Sequence, residues 1–416
     1  MSLDEADCAA LDARPDPLTA LASAFAPGQP GVLYFDANSI GPMPAAVPAQ
    51  LMALLDEGWR VARRRSWNDS DWLAQPRALG AALARVLGAG ADDLLVADST
   101  SINHAKLLHL ALAVRAPRRV IVVEDGVFPS NRHAAQGLAH HGLATLRSIG
   151  HADDLAQALA PGDVAVVSLS HVDYRSGERL DMAGLTALAH RHGALVLWDA
   201  SHSAGAVSLD LAGSDADLAV GCGYKYLCGG PGAPAWLYVH ARWQNRAWPL
   251  LAGWMGHADT FAFAPDFVPA AGVARWQVGT PAVIANAVFA AAARIWQQVD
   301  PAALDARHRS LTELLVRLVD ERCAAHGVLP SGPRDAARRG GHVALRFEAP
   351  GADVQALGQA LVAAGVVVST RKPDSLRLAP HPLVTTHRDI WQAVSRLCEV
   401  LADGRWRQPQ YRAASV

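Results

Sequence analysis

The sequence predicts an α/β protein with a mostly parallel central sheet in a large domain and a smaller α+β domain. Two observations predict this class. Between residues 94 and 240, short apolar runs alternate with stretches of helical spacing, a pattern typical of parallel strands covered by helices on both faces. After about residue 290, long helical stretches precede the strand-like runs HVALRF, VVVST and LRLAP, as in a mixed domain.

The elements of the large domain follow from their local patterns. Apolar runs predict strands, and the connections between them should be right-handed crossovers. Strands are predicted at 94–99, 119–125, 163–172, 194–201 and 233–240, and helices at 101–115, 129–142 and 182–193.

The length of 416 residues predicts two or three domains, at roughly 100–200 residues each. We expect residues 1–60 to form an N-terminal segment that packs with the small domain. Residues 61–290 should form the large domain, and residues 291–416 the small C-terminal domain.

Composition and charge exclude several classes of protein. A net charge of -2 gives no global field that favours nucleic acid or an anionic membrane. The acidic N-terminus lacks the apolar core of a signal peptide, and no apolar run is long enough for a transmembrane helix, so we expect a soluble cytoplasmic protein. Five scattered cysteines without a CxxC argue against a disulfide framework and a structural zinc site, and no metal is expected.

Three features follow predicted strands, where sheets of this class bind ligands. Ser99-Thr100-Ser101 opens a helix, as either a plain cap or a phosphate cradle. Asp199 ends ALVLWD, as either a cap or a functional carboxylate. Lys225 lies in the glycine-rich GCGYKYLCGGPG (221–232), as either a surface lysine or an amine placed where small residues let a flat ligand approach.

Together these features match the needs of pyridoxal phosphate (PLP). Lys225 would form the Schiff base. Asp199 would keep the pyridine nitrogen protonated, so that the ring accepts electrons, and the helix N-terminus would hold the phosphate.

Competing motifs fit less well. Gly221-Cys222-Gly223 is half of a dinucleotide fingerprint, but Lys225 and Tyr226 stand where a third glycine is needed. The pairs His140-His141 and His190-x-His192 are interpreted as helix-surface histidines, since 17 histidines produce such pairs by chance.

Over nearly its whole length the sequence resembles the kynureninase family of fold-type I PLP enzymes. The motifs occur in the family's order. They are YFDANSIGPMP (34–44), RSWNDSDW, STSIN, FPSN, SHVDYRSG, WDASHSAGAV, GCGYKYLCGGPG, GWMGH, VGTP and LRLAPHPLVTT (376–386). Desulfurases of the same fold share the aspartate and lysine but not GWMGH or the YKYLCGGPG context.

The resemblance implies a role for each matching residue. Lys225, Tyr224 and Asp199 are the implied catalytic residues, and Thr280 is expected to come from the partner subunit of a homodimer. The implied cofactor-binding residues are Thr100, Ser101, Phe128, Pro129, Ser130, Asn131, Ser170, Asp199, His202, Tyr224, Lys225, Trp254 and Thr280. The implied substrate-binding residues are Arg377, Ser39, Trp67 and Tyr174, with Arg377 on the α-carboxylate.

The implied activity is hydrolysis of the Cβ–Cγ bond of L-kynurenine or 3-hydroxykynurenine through a PLP ketimine. The products are anthranilate or 3-hydroxyanthranilate, and L-alanine. Such an enzyme belongs to the kynurenine pathway of tryptophan catabolism and NAD biosynthesis. Donors are needed for the oxyanion, and Tyr224 and Tyr174 are the candidates.

Several positions depart from the family pattern. Asn131 replaces an aspartate and Asp173 an asparagine, which suggests that a charge lost at one site is restored at the other. Ala37 replaces a glycine and Ser201 an alanine. His104, Arg132 and His133 stand where the family is more apolar, and the last two either face solvent or reshape the substrate mouth.

Three alternatives stay open from the sequence. The first is a kynureninase homologue that acts on a modified kynurenine or another γ-oxo amino acid. The second is a cysteine-desulfurase-like lyase, and the third is a regulatory protein that binds PLP without catalysis. A desulfurase needs a reactive cysteine on a mobile loop, whereas Cys323 and Cys398 lie in helical stretches and Cys222 and Cys228 flank the lysine turn.

Overall fold

The structure, a computed structural model, describes residues 3–412 of the chain. Residues 1–2 and 413–416, the outer ends of two predicted segments, lie outside the described residues. The chain forms two compact units. The small unit comprises Met1–Ala45, Val172–Arg179 and Val299–Val416, and the large unit comprises Ala46–His171 and Leu180–Gln298.

The α-helices of the described residues are α1 (Glu5–Asp12), α2 (Val47–Ala53), α3 (Ser66–Asp69), α4 (Gln75–Leu87), α5 (Thr100–Val114), α6 (Pro129–His140), α7 (Leu155–Leu159), α8 (Met182–Arg191), α9 (Val283–Trp296), α10 (Pro301–Arg322), α11 (Val354–Ala363) and α12 (His387–Ala402).

The strands of the same residues are β1 (Leu33–Tyr34), β2 (Leu94–Val96), β3 (Val120–Glu124), β4 (Thr145–Ile149), β5 (Val164–Ser170), β6 (Leu195–Asp199), β7 (Leu218–Gly221), β8 (Trp236–Val239), β9 (Val328–Pro330), β10 (Val343–Phe347), β11 (Val366–Val367), β12 (Ser369–Arg371) and β13 (Ser375–Leu378).

The large unit is built on a seven-stranded sheet of order β2-β8-β7-β6-β5-β3-β4. Strands β4, β3, β5, β6 and β7 pair in parallel, and β8 runs antiparallel to both of its neighbours, β7 and β2. The central strands are continuous apolar runs because helices cover the sheet, and β6 is buried along its whole length. The predicted mostly parallel α/β architecture is confirmed.

The large sheet brings the ends of two central strands together. Ser170, the last residue of β5, pairs in register with Asp199, the last residue of β6. Because parallel strands end at the same edge of a sheet, the side chains that follow them share one rim. This rim positions the candidate site.

The small unit combines helices with short strands. Its antiparallel sheet has the order β12-β13-β10-β9, and β1 pairs in parallel with β11. The amphipathic helix α12 buries Ile390, Val394 and Leu397 in the core of this unit, at the helical spacing i, i+4, i+7.

Within residues 3–412, the structure contains no helix of the length and apolarity that crossing a bilayer requires. The same residues contain no group of three or more His, Cys, Asp or Glu side chains placed to hold a metal ion.

Candidate active site

Lys225 and His202 form the centre of the candidate site. Lys225 lies in the turn after β7, half-buried, and its Nζ is 2.7 Å from Nε2 of buried His202. The same Nζ lies 5.9 Å from the ring centroid of Phe128, just before α6. Three sequence-predicted residues from separate segments therefore meet at one point.

Two glycines beside Lys225 are required by close packing within the large unit. A Cβ on Gly221 would lie 2.5 Å from the Trp236 ring, and a Cβ on Gly223 would lie 2.5 Å from the Pro234 carbonyl oxygen. These glycines therefore let the lysine turn pack against β8 and the residues before it. The approach of a flat ligand to Lys225 stays a prediction.

Asp199 is a buried carboxylate at the end of β6. Its Oδ2 accepts a hydrogen bond from the Asn131 amide at 2.7 Å, and its Oδ1 accepts one from the Ser201 backbone N–H at 2.9 Å. Both donors are neutral, so they orient the carboxylate without balancing its charge. A buried charge of this kind calls for a cationic partner.

The N-terminus of α5 forms the third part of the site. Ser99 caps the helix by accepting a hydrogen bond from the Ile102 N–H at 3.4 Å. Thr100 and Ser101 follow in the first turn, where backbone N–H groups lack partners within the helix. The plain cap is therefore present and uses the Ser99 oxygen, and the hydroxyl-bearing residues Thr100 and Ser101 follow it in the first turn.

A buried ion pair supports this turn. Lys106 pairs with Asp98 and donates to the Trp276 carbonyl at 2.6 Å. Asp98 immediately precedes the cap and has a left-handed backbone with φ of 52°, a conformation rare for residues other than glycine. This pair was not among the sequence-predicted features, because an aspartate and a lysine eight residues apart carry no pattern that marks a buried contact.

His104 lies one turn along α5 from Thr100 and is fully buried. Its Nε2 is 2.9 Å from the Ser168 hydroxyl on β5. Burial lowers the pKa of His104 to about 4, against the opposing effect of the Asp199 charge. His104 is therefore a neutral imidazole at neutral pH, and it adds no second charge to the surroundings of Asp199.

Tyr224 precedes the lysine and is half-buried. Burial, followed by the Cys222 thiol that hydrogen-bonds to it, raises the pKa of Tyr224 to about 12. The phenol therefore keeps its proton at neutral pH and is available as a donor. Cys222 was not among the site residues predicted from the sequence.

The other predicted residues of the large unit lie on several elements. Pro129 and Ser130 open α6, beside Asn131. Trp254 is exposed, with its ring edge-to-face to Phe261 at 6.3 Å. Exposed Thr280 lines a cavity of about 280 Å³ that Asp98 also lines.

Trp67 lies in a groove of the large unit. Its ring is edge-to-face with Trp72, with centroids 5.3 Å apart. Arg63 and Arg64 also line this groove, so an aromatic wall and two cations are close together.

The predicted substrate residues Arg377, Tyr174 and Ser39 belong to the small unit. Arg377 lies on β13 and is fully buried. Its Nη1 donates to the Tyr174 carbonyl at 2.6 Å, and its Nη2 donates to the Ser369 hydroxyl at 2.9 Å. Ser39 donates its hydroxyl to the Asp36 carboxylate at 2.8 Å. The guanidinium and the Ser39 hydroxyl are therefore held in defined positions.

Three residues that depart from the family pattern have local explanations. Oδ1 of Asp173 accepts hydrogen bonds from the Ser176 N–H at 2.6 Å and the Ser176 hydroxyl at 2.8 Å. This turn accounts for the aspartate without a role at the cofactor ring. Arg132 pairs with Asp125 at 2.8 Å and His133 is exposed, which favours the solvent-facing interpretation of both.

The interpretation of His190 as a surface histidine is wrong. Its Nε2 is 2.7 Å from Oδ2 of Asp217, whose side chain is fully buried. Arg242 and Trp243 also donate to Asp217, at 2.9 and 2.7 Å. This network joins α8 to the sheet and is structural.

The residues fit PLP. Asp199 offers the buried carboxylate that a protonated ring nitrogen needs, and Lys225 offers an amine beside the ring of Phe128. The first turn of α5 offers hydroxyls and N–H groups for a phosphate.

Comparison with known proteins identifies the family. The kynureninase from Pseudomonas fluorescens is 41% identical over 98% of this chain and 97% of its own length. The kynureninase from Deinococcus radiodurans is 42% identical, over 96% of this chain and 97% of its own length. The chain belongs to the kynureninase family. The family model of the kynureninase C-terminal domain matches residues 304–397.

Solved structures agree on the fold. A C-DES variant with glycine covalently linked to its PLP cofactor superposes with a TM-score of 0.77 at 22% identity, covering 93% of this chain and 100% of that one. The cysteine desulfurase CsdA from Escherichia coli gives a TM-score of 0.76 at 19% identity, covering 93% of this chain and 99% of that one. The predictions of a kynureninase-family hydrolase, of fold type I and of PLP as cofactor are confirmed.

Proposed function

We propose that the protein hydrolyses the Cβ–Cγ bond of L-kynurenine, 3-hydroxykynurenine or both, and releases L-alanine with the matching anthranilate. The observation that carries the proposal is the 41% identity to a curated kynureninase over 98% of this chain. Lys225, His202 and Asp199 supply the chemical groups that this reaction needs.

The cofactor-binding roles are proposed for residues of the large unit. Lys225 would attach the cofactor covalently, and Phe128 would lie against its ring. Asp199, oriented by Asn131, would pair with the ring nitrogen, and Thr100 and Ser101 would hold the phosphate. Further contacts are proposed for Pro129, Ser130, Ser170, Tyr224, Trp254 and, from a partner subunit, Thr280.

When bound, pyridoxal phosphate supplies an electron sink for negative charge that develops beside the substrate amino group. Lys225 removes the α-proton, and His202 at 2.7 Å holds the amine in place. Tyr224 keeps its own proton because its pKa is raised, so it can donate to the oxygen on which charge builds when water adds to the side-chain carbonyl.

Substrate recognition is proposed for four side chains. Arg377 binds the α-carboxylate through its planar fork. Ser39 and Tyr174 contribute polar contacts, with Tyr174 a second candidate donor to the oxyanion. Trp67 contacts the aromatic ring.

The positions of three departures, at Asn131, His104 and Ser201, favour a kynurenine over another γ-oxo amino acid. Asn131 contacts Asp199 directly, and His104 influences its charge. Ser201 contacts Asp199 through its backbone, which any residue could supply. These changes therefore affect the cofactor-ring carboxylate rather than the proposed substrate contacts.

The desulfurase and regulatory alternatives have less support. Cys8, Cys222, Cys228 and Cys323 are buried, and the partly exposed Cys398 lies in helix α12, so none is a nucleophile on a mobile loop. The desulfurase structures share only about a fifth of their residues with this chain and support the fold alone. A regulatory protein would have no need of the proton-transfer pair Lys225–His202.

Product analysis tests the proposal. PLP-loaded protein is incubated separately with L-kynurenine, 3-hydroxykynurenine and L-cysteine, and alanine, anthranilates and sulfide are quantified. Equimolar alanine and anthranilate are expected from a kynurenine. Sulfide from cysteine without anthranilate would establish the desulfurase alternative, and no product from any substrate would support the regulatory one.

We also propose a cytoplasmic homodimer. The segment from Trp248 to Val268 exposes Trp248, Leu251, Trp254, Phe261, Phe263 and Val268, and exposed apolar side chains of this density are typical of interaction surfaces. Light scattering should give twice the 43.9 kDa chain mass, and Phe261→Ser with Phe263→Ser should reduce it. A monomeric wild-type protein would contradict the dimer, and cell fractionation tests the location.

A further inference from the structure

Two cysteines of the small unit lie in contact although they are distant in sequence. Cys323 caps the C-terminus of α10, and Cys398 lies in α12. Their sulfur atoms are 3.3 Å apart across 75 residues of sequence. A disulfide needs about 2.05 Å between the sulfurs, so a shift of roughly 1.3 Å would join them.

The surroundings hold both sulfurs in place. The Cys323 N–H donates to the Val319 carbonyl at 2.8 Å, and Cys398 Sγ donates to the Arg322 carbonyl at 3.5 Å. The Arg322 guanidinium bridges the same two helices, because it donates to the Ser395 hydroxyl at 3.0 Å and lies 5.3 Å from the Trp391 ring centroid. Small motions of α10 and α12 therefore leave the thiols facing each other.

The two thiols differ in access and in acidity. Cys323 is fully buried, whereas Cys398 is partly exposed. The hydrogen bond with Cys323, and then the charge of Arg322, lower the pKa of Cys398 to about 7 despite partial burial. Because the thiolate is the reactive form, Cys398 is the sulfur that meets an oxidant first.

We infer that Cys398 and Cys323 form a peroxide-reactive thiol pair, a modification site that closes reversibly to a disulfide between α10 and α12. The Cys398 thiolate attacks one oxygen of hydrogen peroxide, gives a sulfenic acid and releases hydroxide. The Cys323 thiol then attacks the Cys398 sulfur, the S–O bond breaks, and the sulfenic hydroxyl leaves with the thiol proton as water. Both cysteines are oxidised by one electron each, and one peroxide is reduced.

The remaining cysteines are matched internal controls. Cys222 and Cys228 lie in the large unit and are buried, and burial raises the pKa of each thiol. Cys8 is buried in the small unit, and burial raises its pKa as well. None of these three should be oxidised at a dose that closes the pair.

Peptide mapping of the full-length, PLP-loaded protein tests the inference. The reduced protein is treated with a slight excess of hydrogen peroxide. It is then unfolded in the presence of N-ethylmaleimide, which alkylates the remaining thiols, and digested with trypsin without reductant. The cysteines fall in separate peptides, 323–334 and 397–405. We expect these peptides to be linked and lighter by two hydrogens, and dithiothreitol to release them. Alkylation of both cysteines after peroxide would overturn the inference.

Variants separate the order of events. In Cys323→Ser, Cys398 should stop at the sulfenic acid and be trapped by dimedone, whereas Cys398→Ser should leave Cys323 reduced. Dimedone labelling of Cys323 in Cys398→Ser, with none of Cys398 in Cys323→Ser, would overturn the role of Cys398. Because the bond closes a long loop, oxidised wild-type protein should also unfold several degrees higher than reduced protein, and an unchanged melting temperature would contradict a bond formed in the native geometry.

Discussion

Asn131 donates its side-chain amide to the Asp199 carboxylate over 2.7 Å, and both side chains are buried. The amide orients the carboxylate without changing its charge. Asn131 departs from the family pattern, and Asp199 is the residue proposed to face the cofactor ring nitrogen. Substitutions of Asn131 can therefore test how charge near Asp199 affects the bound cofactor.

Asn131→Asp adds a second negative charge beside Asp199. A nearby anion favours the protonated form of a cation, so the pH midpoint of the visible absorbance of PLP-loaded protein should rise. Asn131→Ala, which removes the donor but adds no charge, should leave the midpoint in place and weaken PLP binding roughly 10- to 100-fold, the value of a hydrogen bond to a charged group. Equal midpoints for both variants would show that Asn131 does not set the charge at the ring.

His202 is predicted to hold the amine that moves the proton. His202→Leu removes the partner of Lys225 Nζ and should lower kcat roughly 100-fold, with little change in KM or in the amount of bound PLP. His202→Gln keeps a hydrogen-bonding group and should recover part of the rate. Full activity of His202→Leu in steady-state assays would exclude this role.

Arg377 is predicted to bind the substrate carboxylate. Arg377→Lys keeps the charge but loses the fork, so KM for L-kynurenine should rise roughly 10- to 100-fold while PLP absorbance is retained. Arg371→Lys on β12 is the matched control and should behave as wild type. If Arg377→Lys instead loses PLP or lowers the melting temperature without changing KM, the buried arginine is structural.

Asp217 is predicted to stabilise the large unit in a pH-dependent way. Asp217→Asn leaves the network of His190 and Arg242 without its buried anion and should cost about 3 kcal/mol in urea unfolding. Asp215→Asn changes an aspartate that also pairs with Arg242 but is more than half exposed, and should cost less than about 1 kcal/mol.

The pH dependence of that cost follows from two pKa shifts. The hydrogen bond with Asp217 raises the pKa of His190. The contribution of His190 to the free energy of unfolding is therefore complete below about pH 6.5, and it is lost as the pH rises through the raised pKa. Burial raises the pKa of Asp217, but the hydrogen bonds from His190 and other donors outweigh this effect and lower the pKa overall. The contribution of Asp217 to the free energy of unfolding is therefore lost only in strong acid. The difference in the free energy of unfolding between wild type and Asp217→Asn should be largest between about pH 4 and 6.5. A difference that does not depend on pH would contradict the pairing of His190 with Asp217.

Apolar runs predicted strands β3, β5 and β6 because almost complete burial leaves a clear signal, whereas the buried but four-residue strand β7 was not among the predicted strands. Strand β4, TLRSI, was missed because it lies at the sheet edge and its exposed or half-buried residues are mostly polar. Asp199 could be found because it ends a fully buried apolar strand, and Lys225 because it is the single lysine of a glycine-rich turn. His104–Ser168 and Asp98–Lys106 were missed because a buried polar pair has no periodicity of its own. Only the fold brings its two members together.

The central claim is most directly tested by anthranilate release from L-kynurenine by PLP-loaded wild-type protein and its Lys225→Ala variant, with 3-hydroxykynurenine measured in parallel. The account predicts rapid release by wild type and none by Lys225→Ala, and the ratio of the two rates ranks the substrates. Wild-type protein that carries bound PLP but releases no anthranilate from either compound would contradict it, as would a Lys225→Ala variant that releases anthranilate at the wild-type rate.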